Sequence, residues 1–123
     1  MVVQRSPRRG EVWLADFSPV IGHEQGGRRP GLVLSIDEFN HGPAGLITIL
    51  PITSRFRGIP IHILVDPVDP PEAGLQLRSA IMPEMIRSVS IERLLHPLGR
   101  VSKETLQQAS AHVMMLLGLE SME

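Results

Sequence analysis

The apolar segments of this chain are short and each is cut off by turn residues, which constrains it to a compact β architecture with few helices. Gly10 to Phe17 sets Val12 and Leu14 against Glu11, Trp13 and Ala15, the period-two pattern of a strand with one face inward. Leu32-Val33-Leu34 is continuously apolar and reads as a strand buried on both faces. Asp37, Asn40, Gly42 and Pro43 mark turns across Ser35 to Gly45. A third strand covers Leu46 to Ile52 and delivers Thr53-Ser54 at its end, and Ile61 to Val65 forms a fourth. After a proline-rich bend at Pro67, Pro70 and Pro71, extended structure resumes from Ser79 to Met82. Ser90 caps a short helical turn through Leu94, and Gly99-Arg100-Val101 returns as an edge strand. Ser102 is a good N-cap, with Glu104 in the first turn, for a terminal helix whose apolar face is Leu106, Ala109, Val113, Leu116 and Leu117. Met114-Met115 reads as core filler. The pattern predicts a small curled barrel closed by a helix.

One connection differs from the other turns. Gly22 to Pro30 packs charge, backbone freedom and a rigid stop into a single loop. Its glycines permit positive φ and close backbone approach to a ligand, while Pro30 fixes its own φ and holds Arg29 extended. Arg28 and Arg29, preceded by Glu24 and Gln25, form a cluster whose guanidiniums suit phosphate oxygens. Local composition alone also suits a solvated hairpin loop.

The totals restrict the function. A chain of 123 residues is about one domain. With 12 basic and 13 acidic residues, bulk charge selects neither nucleic acid nor membrane as a partner. The distribution does more: the first half is slightly basic and the second acidic, and every basic residue except Lys103 is Arg. Without cysteine there is no disulfide, thiolate chemistry or Cys-based zinc site, which fits a reducing cytoplasm. The apolar runs are too short to span a bilayer, and residues 1–7 lack the apolar core of a leader, so a soluble, unexported protein is expected. Rings for base stacking are few: Trp13, Phe17, Phe39 and Phe56. Trp13 is expected as core or interface filler. No metal site is expected, because His41, His96 and His112 have no paired carboxylates at ligand spacing.

The ordered set Arg9-Gly10-Glu11-Val12-Trp13-Leu14-Ala15-Asp16-Phe17, Pro19, Gly22, Glu24-Gln25, Gly27, Arg29-Pro30 and Leu32-Val33-Leu34-Ser35 resembles the opening of the MazF/PemK-like toxin family. The resemblance continues through Pro51-Ile52-Thr53-Ser54, Ser79-Ala80-Ile81 and Ile86-Arg87-Ser88-Val89 to the terminal helix. It implies a compact SH3-like β-barrel of the CcdB/PemK type with a C-terminal α-helix, occupying 9–120 after a flexible tail at 1–8. It further implies a homodimer that acts as the toxin of a type II toxin–antitoxin pair. Such toxins cut single-stranded RNA at short sequences without a metal or other cofactor, leaving a 2′,3′-cyclic phosphate and a 5′-hydroxyl. The family's central catalytic residues fall on Arg29 and Thr53, and a contributing glutamate falls on Glu24. One departure is Met85, where many relatives carry Gln.

Those assignments agree with the chemistry. Attack of a 2′-oxygen on phosphorus builds charge on the non-bridging oxygens, which preorganised donors such as Arg29 stabilise. Thr53, at a strand end, adds a neutral donor. The general base stays open, since an Arg with pKa above about 12 is a poor base at neutral pH; Glu24 and His23 are candidates, and His23 also suits a solvated loop. Candidate RNA contacts are Gln25, Arg28, Ser54, Arg55, Arg57, Arg87 and His62, the last pointing opposite to Ile61 and Ile63. For Arg55, Arg57 and Arg87, ordinary surface charge is an equal alternative. The partners implied are single-stranded RNA and an antitoxin with an extended acidic and apolar segment, with no membrane. The rival function is a CcdB-like, non-enzymatic gyrase poison of the same fold. That mode uses a Trp near the C-terminus, whereas this chain ends Leu119-Glu120-Ser121-Met122-Glu123.

Overall fold

A computed structural model describes residues 6–19, 21–24, 26–55, 57–67 and 73–119. The elements are β1 (Glu11–Asp16), β2 (Arg28–Val33), α1 (Asp37–Asn40), β3 (Leu46–Thr53), β4 (Ile63–Val65), β5 (Ser79–Ile81), β6 (Arg87–Ser90), β7 (Leu94–Arg100) and α2 (Lys103–Leu116), with single 3₁₀ turns at Pro83–Met85 and Ile91–Arg93. The strands form one sheet in the order β4-β5-β3-β2-β1-β7, and β6 also pairs with β3. Every pairing is antiparallel. This is the mainly β, helix-closed architecture expected from the sequence.

β3 is the hub. One edge pairs with β2; the other pairs with β6 along Leu46 to Ile49 and with β5 at Ile52 and Thr53. Pro51 sits between the two partners on that edge and has no N–H to donate, so the ladder changes partner where a donor is missing. Its carbonyl accepts from Met82 N–H at 3.0 Å.

Period-two alternation fills both faces of the sheet. Val12, Leu32, Leu50 and Ile52 bury into one core with Ile63, Ile81 and the α2 residues Ala109 and Val113. Trp13, Ala15, Phe17, Val33, Ile47 and Ile49 bury into a second core with Val89 and Leu94. Full burial of each large aliphatic or aromatic side chain contributes about 1.5–3 kcal/mol. Leu32-Val33 is therefore buried on both faces, as its apolar run predicts. β1 departs from its predicted single inward face: Trp13, Ala15 and Phe17 are as buried as Val12, because the curled sheet closes over the face that a flat sheet would expose. Trp13 is core filler, and its Nε1–H donates to Glu11 Oε1 at 3.1 Å.

Three other expectations change. Arg28, Arg29 and Pro30 belong to β2 rather than to the loop, with Asp16 opposite Arg28 and Ala15 opposite Arg29. The polar excursion 35–45 contains the helical turn α1, held where buried Asn40 bonds the hydroxyl of Ser35 and donates to the Ser35 carbonyl at 2.8 Å. The apolar face of α2 is shorter than its periodicity suggests. Ala109 and Val113 are buried and Leu106 packs on them, but Met114, Met115, Leu116 and Leu117 are exposed because the last turn overruns the core. The Ser90 cap is present, its hydroxyl accepting from Glu92 N–H at 3.3 Å, and Ser102 Oγ accepts from Thr105 N–H at 3.1 Å at the start of α2. The edge strand predicted at 99–101 is the end of the longer β7. Of the tail 1–8, residues 1–5 lie outside the described residues, while Pro7 is buried and its carbonyl lies 2.7 Å from His41 Nε2. Among the described residues no helix is long and apolar enough to cross a membrane.

Candidate active site

The β1–β2 connection closes on itself: Phe17 N–H donates to Gly27 O at 2.9 Å, and Gly27 N–H donates to Ser18 Oγ at 3.1 Å. Gly27 adopts a φ of 73°, which lets the chain turn into β2 with Arg29 facing outward from a strand. Arg29 is held further by its own side chain, whose Nε–H donates to Gly26 O at 3.0 Å. Among the described residues its terminal nitrogens have no partner, so the outer end of the guanidinium is free for an anion. Partial burial, with a smaller push from Arg55, lowers the Arg29 pKa from its ordinary value.

Thr53 ends β3 beside it. Its hydroxyl oxygen accepts from Arg55 N–H at 3.2 Å, which leaves the hydroxyl proton to donate. Arg29 and Thr53 together line two clefts. The first, about 440 Å³, is also lined by Arg28, Ser54, Leu75, Leu77 and Leu98. The second, about 370 Å³, is lined by His23, Arg55, Arg57, His62, Glu84 and Met85. One face of the Arg29–Thr53 ridge is thus apolar and the other strongly polar. Volumes near the lower end of the roughly 300–1,000 Å³ range for small-molecule sites leave room for about one nucleotide in each.

The structure brings most of the candidate residues together at this ridge. Arg28 and Ser54 lie on the apolar side, and Arg55, Arg57 and His62 on the polar side. Glu24 stands apart: its Oε1 accepts from Ile21 N–H at 3.0 Å, and it lines a small neighbouring cleft with Pro51, Glu84, Met85, Ile86 and Arg87. The guanidinium of Arg87 sits 5.8 Å from the centroid of the Phe17 ring. Gln25 lies outside the described residues. Met85 occupies the boundary of the polar and small clefts, so its thioether is part of the site itself.

Two contributions escaped sequence reasoning. Gly74 to Leu77 walls the apolar cleft together with Leu98, which lies far away in sequence. Glu84 faces the polar cleft and lies 2.5 Å from His62. Its signal was available: it is the lone charge in the otherwise apolar run from Ala80 to Ile86. Among the described residues no three His, Asp or Glu stand together as a metal cluster.

The small domain is thus an antiparallel, helix-closed β fold with an arginine-rich, threonine-bearing ridge between two clefts. Residues 8–117 match the family described as the PemK-like, MazF-like toxin of type II toxin–antitoxin systems, and the chain belongs to that family. It is 37% identical over 119 residues to endoribonuclease MazF9 of Mycobacterium tuberculosis, covering 93% of this chain and 98% of the relative. It is 30% identical over 113 residues to endoribonuclease EndoA of Bacillus subtilis, covering 91% and 95%. Among solved structures it resembles MazF of Deinococcus radiodurans, with a TM-score of 0.81 and 31% identity over 94% of this chain and 99% of the other. It also resembles a MazE–MazF structure from that organism, with a TM-score of 0.76 and 30% identity over 95% and 100%. The fold is accordingly the SH3-like barrel of MazF toxins.

Proposed function

We propose that this protein is a metal-independent, sequence-specific endoribonuclease, the cytoplasmic toxin of a type II pair, acting through one domain at 9–120. The observation that carries the reading is the shared position of Arg29 and Thr53 between the two clefts. A single-stranded RNA laid across the ridge places one phosphate on the free end of Arg29 and the hydroxyl of Thr53, with a nucleotide in each cleft. The 2′-oxygen then attacks phosphorus, the 5′-oxygen leaves, and the products carry a 2′,3′-cyclic phosphate and a 5′-hydroxyl. Arg29 and Thr53 stabilise charge that grows on the non-bridging oxygens, and because both are fixed on strands they need little reorganisation as it grows. Arg28, Arg55 and Arg57 supply phosphate contacts that position the strand. The relatives named as endoribonucleases support this reading, and a MazE–MazF complex of the same fold supports an antitoxin as the natural inhibitor.

The test is incubation of the purified protein with a mixed-sequence RNA in EDTA, followed by sequencing of the cut ends. The expected result is cutting at one short sequence, with 5′ ends that a polynucleotide kinase labels without prior phosphatase and 3′ ends that resist ligation until the cyclic phosphate is opened and the phosphate removed. Intact RNA, or cleavage that needs an added divalent ion, overturns the reading.

A further inference from the structure

The Arg29–Thr53 ridge explains how charge is stabilised but leaves unassigned the group that removes the 2′-hydroxyl proton. Arg29 is too weak a base at neutral pH. Glu24 is turned to the Ile21 N–H and lines a different cleft. From the geometry of the polar cleft we infer that His62 is the general base and Glu84 its positioning residue, an inference that rests on the ribonuclease reading above.

His62 Nε2 lies 2.5 Å from Glu84 Oε2, and the imidazole side chain is only 7% exposed. Both ends of the pair are fixed. His62 N–H donates to Ile59 O at 3.1 Å in the turn before β4, and Glu84 rides the 3₁₀ turn that starts at buried Pro83. Glu84 Oε1 is buried and has no hydrogen-bond partner among the described residues, so the carboxylate directs its hydrogen bonding to His62 alone. A carboxylate accepts and an imidazole N–H donates, which places the ring proton on Nε2 and the lone pair on Nδ1. The ring lines the same cleft as Arg29 and Thr53, and on this proposal Nδ1 turns toward the ribose bound there. The other charged or titratable groups facing that cleft are His23, Arg55 and Arg57. The cleft, about 370 Å³, has room for roughly one nucleotide, and on this proposal it takes the ribose that carries the attacking 2′-hydroxyl.

The step balances simply. The 2′-O–H bond breaks and its proton goes to Nδ1; the 2′-oxygen electron pair forms the bond to phosphorus; the P–O5′ bond breaks; and the 5′-oxygen takes a proton from water. Glu84 faces the imidazolium so formed and stabilises it. The ring then releases the proton to solvent.

Single-turnover cleavage of a short RNA in EDTA, beside RNA affinity by fluorescence anisotropy, tests this. His62→Gln is expected to lower the cleavage rate by about 10²–10⁴-fold, the usual share of a positioned base, while affinity changes by less than about 3-fold. Added imidazole is expected to restore part of the rate in His62→Gly. Glu84→Gln keeps shape and removes charge, so a smaller loss of roughly 10-fold or more is expected, and it stands in should the His62 variants fail to fold. A substrate whose 5′-leaving oxygen is sulfur needs no acid, so the losses in His62→Gln and Glu84→Gln should persist on it. Cleavage by His62→Gln or Glu84→Gln within about 3-fold of the unsubstituted protein, or losses that vanish with the sulfur substrate, overturns the assignment while leaving the ribonuclease reading intact. Failure of the unsubstituted protein to cut any RNA overturns the ribonuclease reading first.

Discussion

At Arg29 three small constraints add up to a preorganised cation: a strand backbone, an Nε–H committed to Gly26 O, and partial burial that makes the unpaired charge less comfortable. In the proposed reaction a phosphate oxygen would relieve both the desolvation and the repulsion from Arg55, and most when it carries transition-state charge. Arg29→Ala is therefore expected to lower single-turnover cleavage by about 10²–10³-fold, with RNA affinity falling much less. Arg29→Lys should rescue poorly, because a point charge lacks the planar fork that grips two oxygens. Thr53→Val keeps the shape and removes the hydroxyl, so a smaller but clear loss is expected; unchanged rates in Arg29→Ala would remove the ridge from the mechanism. Both positions were legible in the sequence, since a Pro-locked arginine and a strand-ending threonine are local features. Glu84 stands out locally as the lone charge of an apolar run, but its meeting with His62 across 22 positions comes only with the fold.

Alternation marks β1, and short apolar or extended runs between turn residues mark β2, β3 and β5; each overlaps its observed strand, with β2 beginning four residues earlier than its apolar run. What alternation could not supply is the curl, so the second buried face of β1 and the passage of β3 between two partners came only with the fold. Gly74 is a similar case. It has a φ of 73°, and a Cβ there would lie 2.0 Å from Leu98 O, so only glycine lets the segment to Leu77 close against β7 and wall the apolar cleft. Gly74→Ala combines a left-handed backbone penalty with a backbone clash and is expected to cost about 2–5 kcal/mol. Differential scanning should show Tm falling by on the order of 10 °C; an unchanged Tm would mean the segment is free to move away. At the β1 terminus, Asp16 Oδ1 accepts from Ser18 N–H at 3.0 Å, the main cause of its lowered pKa, assisted by Arg28 and Arg93. A depressed folded-state pKa stabilises the fold above the unfolded value of about 4, and that contribution is lost as pH falls through the folded one. Denaturant titrations from pH 6 down to pH 2 should show Asp16→Asn slightly less stable near neutrality, with the difference shrinking below about pH 4. A difference constant across that range would show that the carboxylate charge is not what matters.

At the level of the whole molecule, α2 ends in apolar surface that the fold does not cover. Met115 is 51% exposed and Leu117, just past the end of α2, is 53% exposed, although the preceding turns are anchored by Ala109 and Val113. A chain this small gains stability by covering such surface with a second copy. Light scattering at micromolar concentration should return about twice the 13.6 kDa chain mass, and a clean monomer would exclude the dimer. The same scale decides how the toxin is silenced. The polar cleft concentrates Arg29, Arg55 and Arg57 beside exposed Ile59, which suits an extended segment carrying both carboxylates and apolar side chains. Such a segment would fold on contact and occupy the surface that RNA needs, so the two ligands are expected to exclude each other. Calorimetric titration of a cognate antitoxin peptide into the toxin, repeated with a saturating uncleavable RNA analogue, measures this directly. Competition should weaken the apparent peptide affinity in proportion to the RNA present, and a peptide affinity unchanged by bound RNA would mean that inhibition reaches the ridge from somewhere else on the molecule.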